Sequence, residues 1–449
     1  MPQLKEAIDS LYQLALIPGL KILAKLWWLW LFIFSLVLAK NLWQFYVAAI
    51  DKKKYRWSLL EILIPREIKK SPKAMEQILS EIYSLGNKAE NFIEKYWEGE
   101  VPYWWSLEIA SLGGEIHFYI RTLTKYKNIV ESNIYANYKD AEVIETADYI
   151  DRLPARTTDL YKSGLNLFGL ELALGRSAHY PVKTYVDFET IEEEERLDPI
   201  GNLVEVLSKI KKEEQLWLQL LIRPVDASNP VWKESGLKLI KELKEKSVTR
   251  IKISDEDSVT VGRSPGEEEI IKKIEQKLAK SQFETIIRYI YFAPRAIFNQ
   301  QLPYRGVRGA FAQYSTQNMN YFVPNIKTRT TAGWIRFPFF FPKKREEAKK
   351  QRLLKNYRER RMPEEMKIGS IINSQFFYFD SKSKIAHFST EELATLFHLP
   401  SFPVLTAPFI KRVEAKRMGP PAGLKIFGEE EDVPGLKMPE PEPDSKNKR

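Results

Sequence analysis

Residues 103–122, YWWSLEIASLGGEIHFYIRT, decide how this chain is read. Two apolar runs, 103–112 and 115–122, carry the aromatic and β-branched residues that suit a pleated, half-buried surface. Gly113 and Gly114 between them have the composition of a tight hairpin. Upstream, Trp57–Ile64 (WSLLEILI) reads as a strand closed by Pro65. Ser71 and Pro72 then form the cap and first turn of a helix, SPKAMEQILSEIYSL, with Met75, Ile78, Leu79 and Ile82 on one face. Downstream, a helix from about Tyr126 to Tyr138 and a strand from Ala141 to Ile150 complete the order β, α, β, β, α, β.

That order is the split βαβ arrangement of a ferredoxin-like sandwich, here over residues 51–150. A second, degenerate unit is expected within 151–325, after linker strands near 165–174 and 183–188 and a helix near Asn202–Ile210. Its sign is the likeness of 59–79, LLEILIPREIKKSPKAMEQIL, to 218–240, LQLLIRPVDASNPVWKESGLKLI: each is an apolar strand ending at proline, a polar loop, a second proline and a helix. The fold class is therefore α+β: an N-terminal transmembrane helix, two ferredoxin-like units and a small C-terminal α/β segment.

The transmembrane assignment rests on Leu26–Ile50, LWWLWLFIFSLVLAKNLWQFYVAAI. It lies within a helix over 23–50, preceded by an amphipathic interfacial segment over 1–22. Trp27, Trp28, Trp30, Phe32, Phe34 and Trp43 are the membrane-anchoring residues, with the tryptophans suited to the headgroup boundary. A buried core helix and a cleaved signal peptide are the alternatives. Three lysines precede the run and seven basic residues occupy 51–70, which places the soluble body in the cytoplasm of a single-pass inner-membrane protein.

The chain has 449 residues, a formal charge of +10 and no cysteine. Its length exceeds one ordinary domain, its charge suits an anionic partner, and disulfides, thiolate catalysis and Cys-ligated zinc are excluded. No catalytic, cofactor-binding or metal-ligating constellation is legible. There is no Gly-rich phosphate loop with its lysine, and His117, His179, His387 and His398 form no ligand pair. Gly262-Arg263-Ser264-Pro265-Gly266 spells a nucleophile elbow, but Pro265 lacks the N–H that the oxyanion hole requires. The carboxylates at 192–195 and 429–432 read as solvated loops. The chain is accordingly read as a non-enzyme.

Residues 326–365 are aromatic and basic. Between 343 and 361, ten basic residues stand against three glutamates: Lys343, Lys344, Arg345, Lys349, Lys350, Arg352, Lys355, Arg358, Arg360 and Arg361. These are candidates for nucleic acid or anionic lipid, with Phe339, Phe340, Phe341 and Tyr357 available for stacking. A solvated helix at the membrane surface is the alternative, and Glu346 with Lys350 fits an i, i+4 pair. A hairpin-helix module is expected over 366–424, with arms at 376–379 and 385–388, and a disordered acidic, Pro-rich tail over 425–449.

Residues 106–122 and 130–143 (VESNIYANYKDAEV), with 388–400 (FSTEELATLFHLP) and 413–424 (VEAKRMGPPAGL), resemble the membrane-anchored region that precedes the motor in HerA/FtsK-type and TraG-like conjugative coupling ATPases of small-genome bacteria. The resemblance covers most of residues 50–424. In that family segments like ELATLFHLP of 388–400 and PPAGL of 413–424 come just before the ATPase core, whereas here Leu424 is followed by Lys425 and acidic residues. The resemblance implies the non-catalytic anchor half of a split motor in DNA transfer or type IV secretion, oligomeric, with a phosphate-loop ATPase on a separate chain and DNA as a further partner. It makes Thr390, Glu391, Leu393, Leu396, Phe397 and His398 the candidate ATPase contacts. A membrane-tethered, sequence-independent nucleic-acid-binding protein or a structural scaffold is the alternative.

Overall fold

The computed structural model describes residues 25–65, 70–87, 91–188, 198–225, 230–246, 249–252, 258–261, 264–331, 341–363, 382–400 and 412–413. The expected amphipathic segment at 1–22, the hairpin arm at 376–379, the acidic runs and the tail lie outside them.

The chain begins with a long apolar helix, α1 (Trp27–Lys54), and enters the body through β1 (Trp57–Pro65). Helix α2 (Lys73–Ser84) buries Met75, Ile78, Leu79 and Ile82, the stripe that the sequence spacing calls for. Then come β2 (Trp105–Leu112) and β3 (Glu115–Leu123). Gly113 and Gly114 both have positive φ, 65° and 95°, as a two-residue turn of this hand requires, and Leu112 pairs with Glu115 across it. Helix α3 (Lys127–Asn137) and β4 (Glu142–Thr146) follow. In space these four strands lie in the order β4–β1–β3–β2, each antiparallel to its neighbour.

The second half opens with α4 (Thr157–Lys162), β5 (Leu165–Leu174), α5 (Gly201–Ser208) and β6 (Gln215–Pro224). An excursion of α6 (Pro230–Lys246), the hairpin β7 (Thr249–Lys252) and β8 (Ser258–Val261), and α7 (Pro265–Ala279) precedes β9 (Gln282–Pro294). After α8 (Val307–Ala312) and the short β10 (Phe322–Pro324), the order is β10–β5–β9–β6. The strand that the sequence suggests at 183–188 is instead a single 3-10 turn, Tyr185–Asp187, closed by a Thr184/Asp187 capping box.

The halves therefore repeat one permutation of first, second, third and fourth strands, and they join edge to edge where β2 pairs with β6 from Trp105↔Ile222 to Leu112↔Gln215. The sequence likeness of 59–79 to 218–240 matches β1 with β6, which occupy different places in that permutation; the equivalents are β1 with β5 and β2 with β6. The last described elements are α9 (Pro342–Arg358), β11 (Ala386–Ser389), α10 (Thr390–Leu396) and β12 (Arg412–Val413). β11 pairs with β9 and β12 with β1, so the C-terminal elements extend the same sheet, which among the described residues has ten strands.

Both faces of the sheet are covered, as its alternation requires. Leu60, Ile62, Leu107, Phe118, Leu218 and Tyr289 face a core shared with α2, α3, α5, α8 and α10. Their neighbours Leu59, Tyr119, Trp217, Ile290 and Phe292 face the other way, onto Tyr149, Leu160 and the Leu353, Leu354 and Tyr357 of α9. Burying a side chain of this size contributes about 1.5–3 kcal/mol.

Candidate membrane-anchoring site

Helix α1 has 28 residues, about 42 Å at 1.5 Å per residue. Trp27, Trp28, Trp30, Phe32, Phe34 and Trp43 are between 45% and 68% exposed, and only Val47 and Ala48 of the helix are buried. Only 11% of its apolar window is buried, so within this chain the helix is not packed into the core of the body, and its length and composition are those of a segment that could cross a membrane. The polar groups within it are turned inward: Ser35 Oγ donates to the Phe32 carbonyl at 2.8 Å and Asn41 Nδ2 to the Val37 carbonyl at 2.7 Å. Back-bonding of this kind satisfies polar side chains on their own helix. Lys52, Lys53 and Lys54 end the helix, where cations complement the dipole. Beyond them the joint to the body is fixed. Tyr55 Oη donates to Asp51 and, at 3.1 Å, to the Val101 carbonyl, and Val101 N donates to Asp51 Oδ2 at 3.4 Å.

The basic segment is divided by its helix. Of the ten residues, Lys343, Lys344 and Lys355 are exposed, Arg352, Arg358 and Arg361 are half-buried, and Arg345, Lys349, Lys350 and Arg360 are buried. Arg358 Nη1 donates to the Ile150 carbonyl at 2.8 Å, Lys350 pairs with Glu346 at 2.9 Å as its i, i+4 spacing suggests, and Lys355 lies 3.8 Å from Glu359. Arg361 and Asn356 offer carbonyls to Arg288, which caps this end of α9 at 3.0 and 2.6 Å. Phe341 is exposed, whereas Phe339 and Phe340 lie outside the described residues.

Arg360 stands at the centre of a buried polar cluster that sequence reading missed. Its Nε donates to Glu108 Oε1 at 2.6 Å, its Nη2 to Glu108 Oε2 at 2.9 Å and to Asp148 Oδ1 at 3.0 Å, and its Nη1 to Asp148 Oδ2 at 2.5 Å. Glu108 also accepts from Tyr149 Oη at 2.7 Å and Gln219 Nε2 at 3.0 Å. Burial alone would raise the Glu108 carboxyl, but Arg360 outweighs it and holds the group below the ordinary carboxylate range. Burial, with Glu108 beside them, keeps the Tyr149 and Tyr357 phenols well above theirs. One guanidinium thus holds two carboxylates at once and clamps the end of α9 to β2 and to the turn at Asp148. A glutamate in the middle of an apolar strand, Glu108, was the one signal available.

Of the candidate ATPase contacts, Thr390, Leu393, Leu396, Phe397 and His398 are buried and Glu391 is half-buried. Their surface is occupied by the body itself. Lys280 bridges Glu76 of α2 to Glu391, Lys277 pairs with Glu392 at 3.0 Å, and His398 Nε2 lies 2.8 Å from Asp198 Oδ1.

The other histidines are also internal partners. His117 Nδ1 lies 2.7 Å from Glu61, and His179 and His387 stack on the two faces of Trp232 with ring centroids 4.0 and 4.2 Å away. Ser264 is the N-cap of α7, accepting from Glu267 N, which accounts for its proline-flanked setting. Among the described residues no group of three or more His, Asp or Glu is placed to hold a metal ion. A polar cleft of about 450 Å³ lies between Asn166, Asn299, Gln301, Thr330 and Lys350, whose ammonium is already engaged by Asn166 and Glu346.

The family model described as "Domain of unknown function (DUF8128)" matches residues 41–411. The chain belongs to this family. The match begins inside α1 and takes in every strand of the described sheet except β12. No curated protein matches the chain.

Proposed function

We propose that this chain is a non-catalytic, single-pass anchor of the inner membrane, whose cytoplasmic body serves a phosphate-loop ATPase on a separate chain, in an oligomeric apparatus for DNA transfer or secretion. The observation that carries the anchoring part is α1: a long, exposed apolar helix joined by a pinned joint to a folded body. The excess of basic residues after the helix supports the orientation. The fold we infer is a pair of ferredoxin-like units, supported by the orders β4–β1–β3–β2 and β10–β5–β9–β6. The motor partner rests on the resemblance of 106–122, 130–143, 388–400 and 413–424 to coupling-type ATPases. Because α10 is enclosed, the motor would have to dock elsewhere on the body. Three exposed lysines on α9 give the solitary DNA-tether reading little to stand on, since only unpaired cations displace counterions in number.

The test is purification of the tagged full-length chain from native membranes. Retention of the chain in the membrane through alkaline carbonate washing, with a co-purifying ATPase that hydrolyses ATP, is the expected result. Release by carbonate would overturn the anchor; retention without an ATPase would overturn the motor partnership alone.

A further inference from the structure

Beside the apolar helix, one short stretch of the body exposes apolar side chains that the fold does not use. Phe92, Ile93 and Trp97 are 75%, 62% and 72% exposed, on a helical turn that ends as a π-helix over Glu94–Glu98. The turn is fastened to α1. Trp43 Nε1 donates to the Tyr96 carbonyl at 2.7 Å, the Trp43 and Trp97 rings lie 5.9 Å apart, and the Lys40 ammonium lies 5.0 Å over the Tyr96 ring. Gly99, with φ of 69°, reverses the chain so closely against α1 that a Cβ there would come within 2.5 Å of the Val47 carbonyl carbon. The turn is therefore held at one height along α1, level with Lys40–Val47.

We propose that this turn is a second membrane contact, with Phe92, Ile93 and Trp97 seated in the headgroup region of the bilayer beside α1, setting how deeply the helix is immersed. The inference rests on the membrane-anchor reading of α1. From Lys25 to Trp43 the helix rises about 27 Å, close to the roughly 30 Å of a bilayer's hydrocarbon, so the hydrocarbon ends near Lys40–Trp43. That is the level of the turn. Tryptophan favours this boundary, and a lysine there can hold its ammonium toward headgroups while its stem stays apolar. The remaining turns of α1, where Val47 and Ala48 are buried, then form a stalk between membrane and sheet. Glu94 and Glu98 border the turn, with Glu94 engaged by Asn91, so insertion is driven by apolar area and does not require anionic lipid.

The chain has no cysteine, so single sites can be spin-labelled without background. The full-length chain carrying I93C, F34C or K343C is reconstituted into nanodiscs of phosphatidylcholine, with and without phosphatidylglycerol, and collision rates with oxygen and with a water-soluble nickel chelate are compared. The expected oxygen-to-nickel ratio is largest at position 34, smallest at 343, and several-fold above the 343 value at 93 in both lipid mixtures. A ratio at 93 equal to that at 343, with 34 still lipid-exposed, overturns the inference and leaves the anchor standing. A ratio at 93 raised only with phosphatidylglycerol overturns the apolar mode of seating. A water-exposed label at 34 overturns the anchor itself.

Discussion

Arg360 shows how a single residue can carry one meaning in sequence and another in space. A run of ten cations gives no indication of which side of its helix faces the sheet, so it reads as a phosphate-binding surface. In the folded chain Arg360, at φ 46° just past the end of α9, is 1% exposed and forks between Glu108 and Asp148. Arg360→Met should therefore destabilise the detergent-solubilised chain by about 3–5 kcal/mol, because Glu108 is left charged and buried. Adding Glu108→Gln should return a large part of that loss, and urea denaturation of the two variants measures both. His387 supplies the pH dependence. Burial, then Lys277, His179 and Arg223, push its imidazole down to about 4, so the folded chain binds fewer protons there than the unfolded one between pH 4 and the ordinary 6.5. Its contribution to stability is complete above pH 6.5 and is lost as pH falls toward 4, by up to about 3 kcal/mol. His387→Phe, which keeps a ring against Trp232, should flatten that part of the stability profile. An unchanged acid slope would show that the ring titrates normally.

At the scale of elements, legibility followed period and punctuation. The hairpin through Gly113–Gly114 and the buried stripe of α2 stand where the sequence puts them, because turn chemistry and helical spacing are local. Thr390 with Glu391 and Glu392 signals a helix start in the sequence, and α10 does begin at Thr390, where the structure adds a Ser389/Glu392 capping box. Its surroundings were not legible. A seven-residue helix is too short to display which face is covered, and its partners α2 and α7 lie more than a hundred residues away. The burial of Leu393 and Phe397 at 0% exposure changes what a substitution there reports. Leu393→Asp places an unpaired carboxylate in the core, so it should cost several kcal/mol and yield aggregated or protease-sensitive chain rather than a folded protein that has lost a partner. Limited proteolysis alongside any pull-down separates the two. A folded, protease-resistant L393D variant would mean that α10 can leave the body.

At the scale of the whole molecule, the α+β class and the apolar helix could be read from the chain, while the true repeat could not. Strands β6 and β9 pair over ten positions, yet α6, the β7–β8 hairpin and α7 separate them in sequence. The likeness of two strand-proline-helix stretches therefore drew β1 onto β6 and hid the equivalence of β1 with β5. Once the halves are laid edge to edge, the seam becomes the decisive feature for stability. Eight residue pairs join β2 to β6, and the Arg360 cluster straddles that seam through Glu108 on one side and Gln219 on the other. Helix α9 packs across both halves, with Tyr357 against Trp217 and Tyr149. Parting the halves would expose two full strand edges and strip Glu108 of Gln219, so neither half has an inexpensive way to unfold alone. The body should consequently melt as one unit despite its length: urea transitions followed by tryptophan fluorescence and by far-ultraviolet circular dichroism should coincide. Two separated transitions would show that the seam is weaker than either half, and would locate the domain boundary at the β2–β6 ladder.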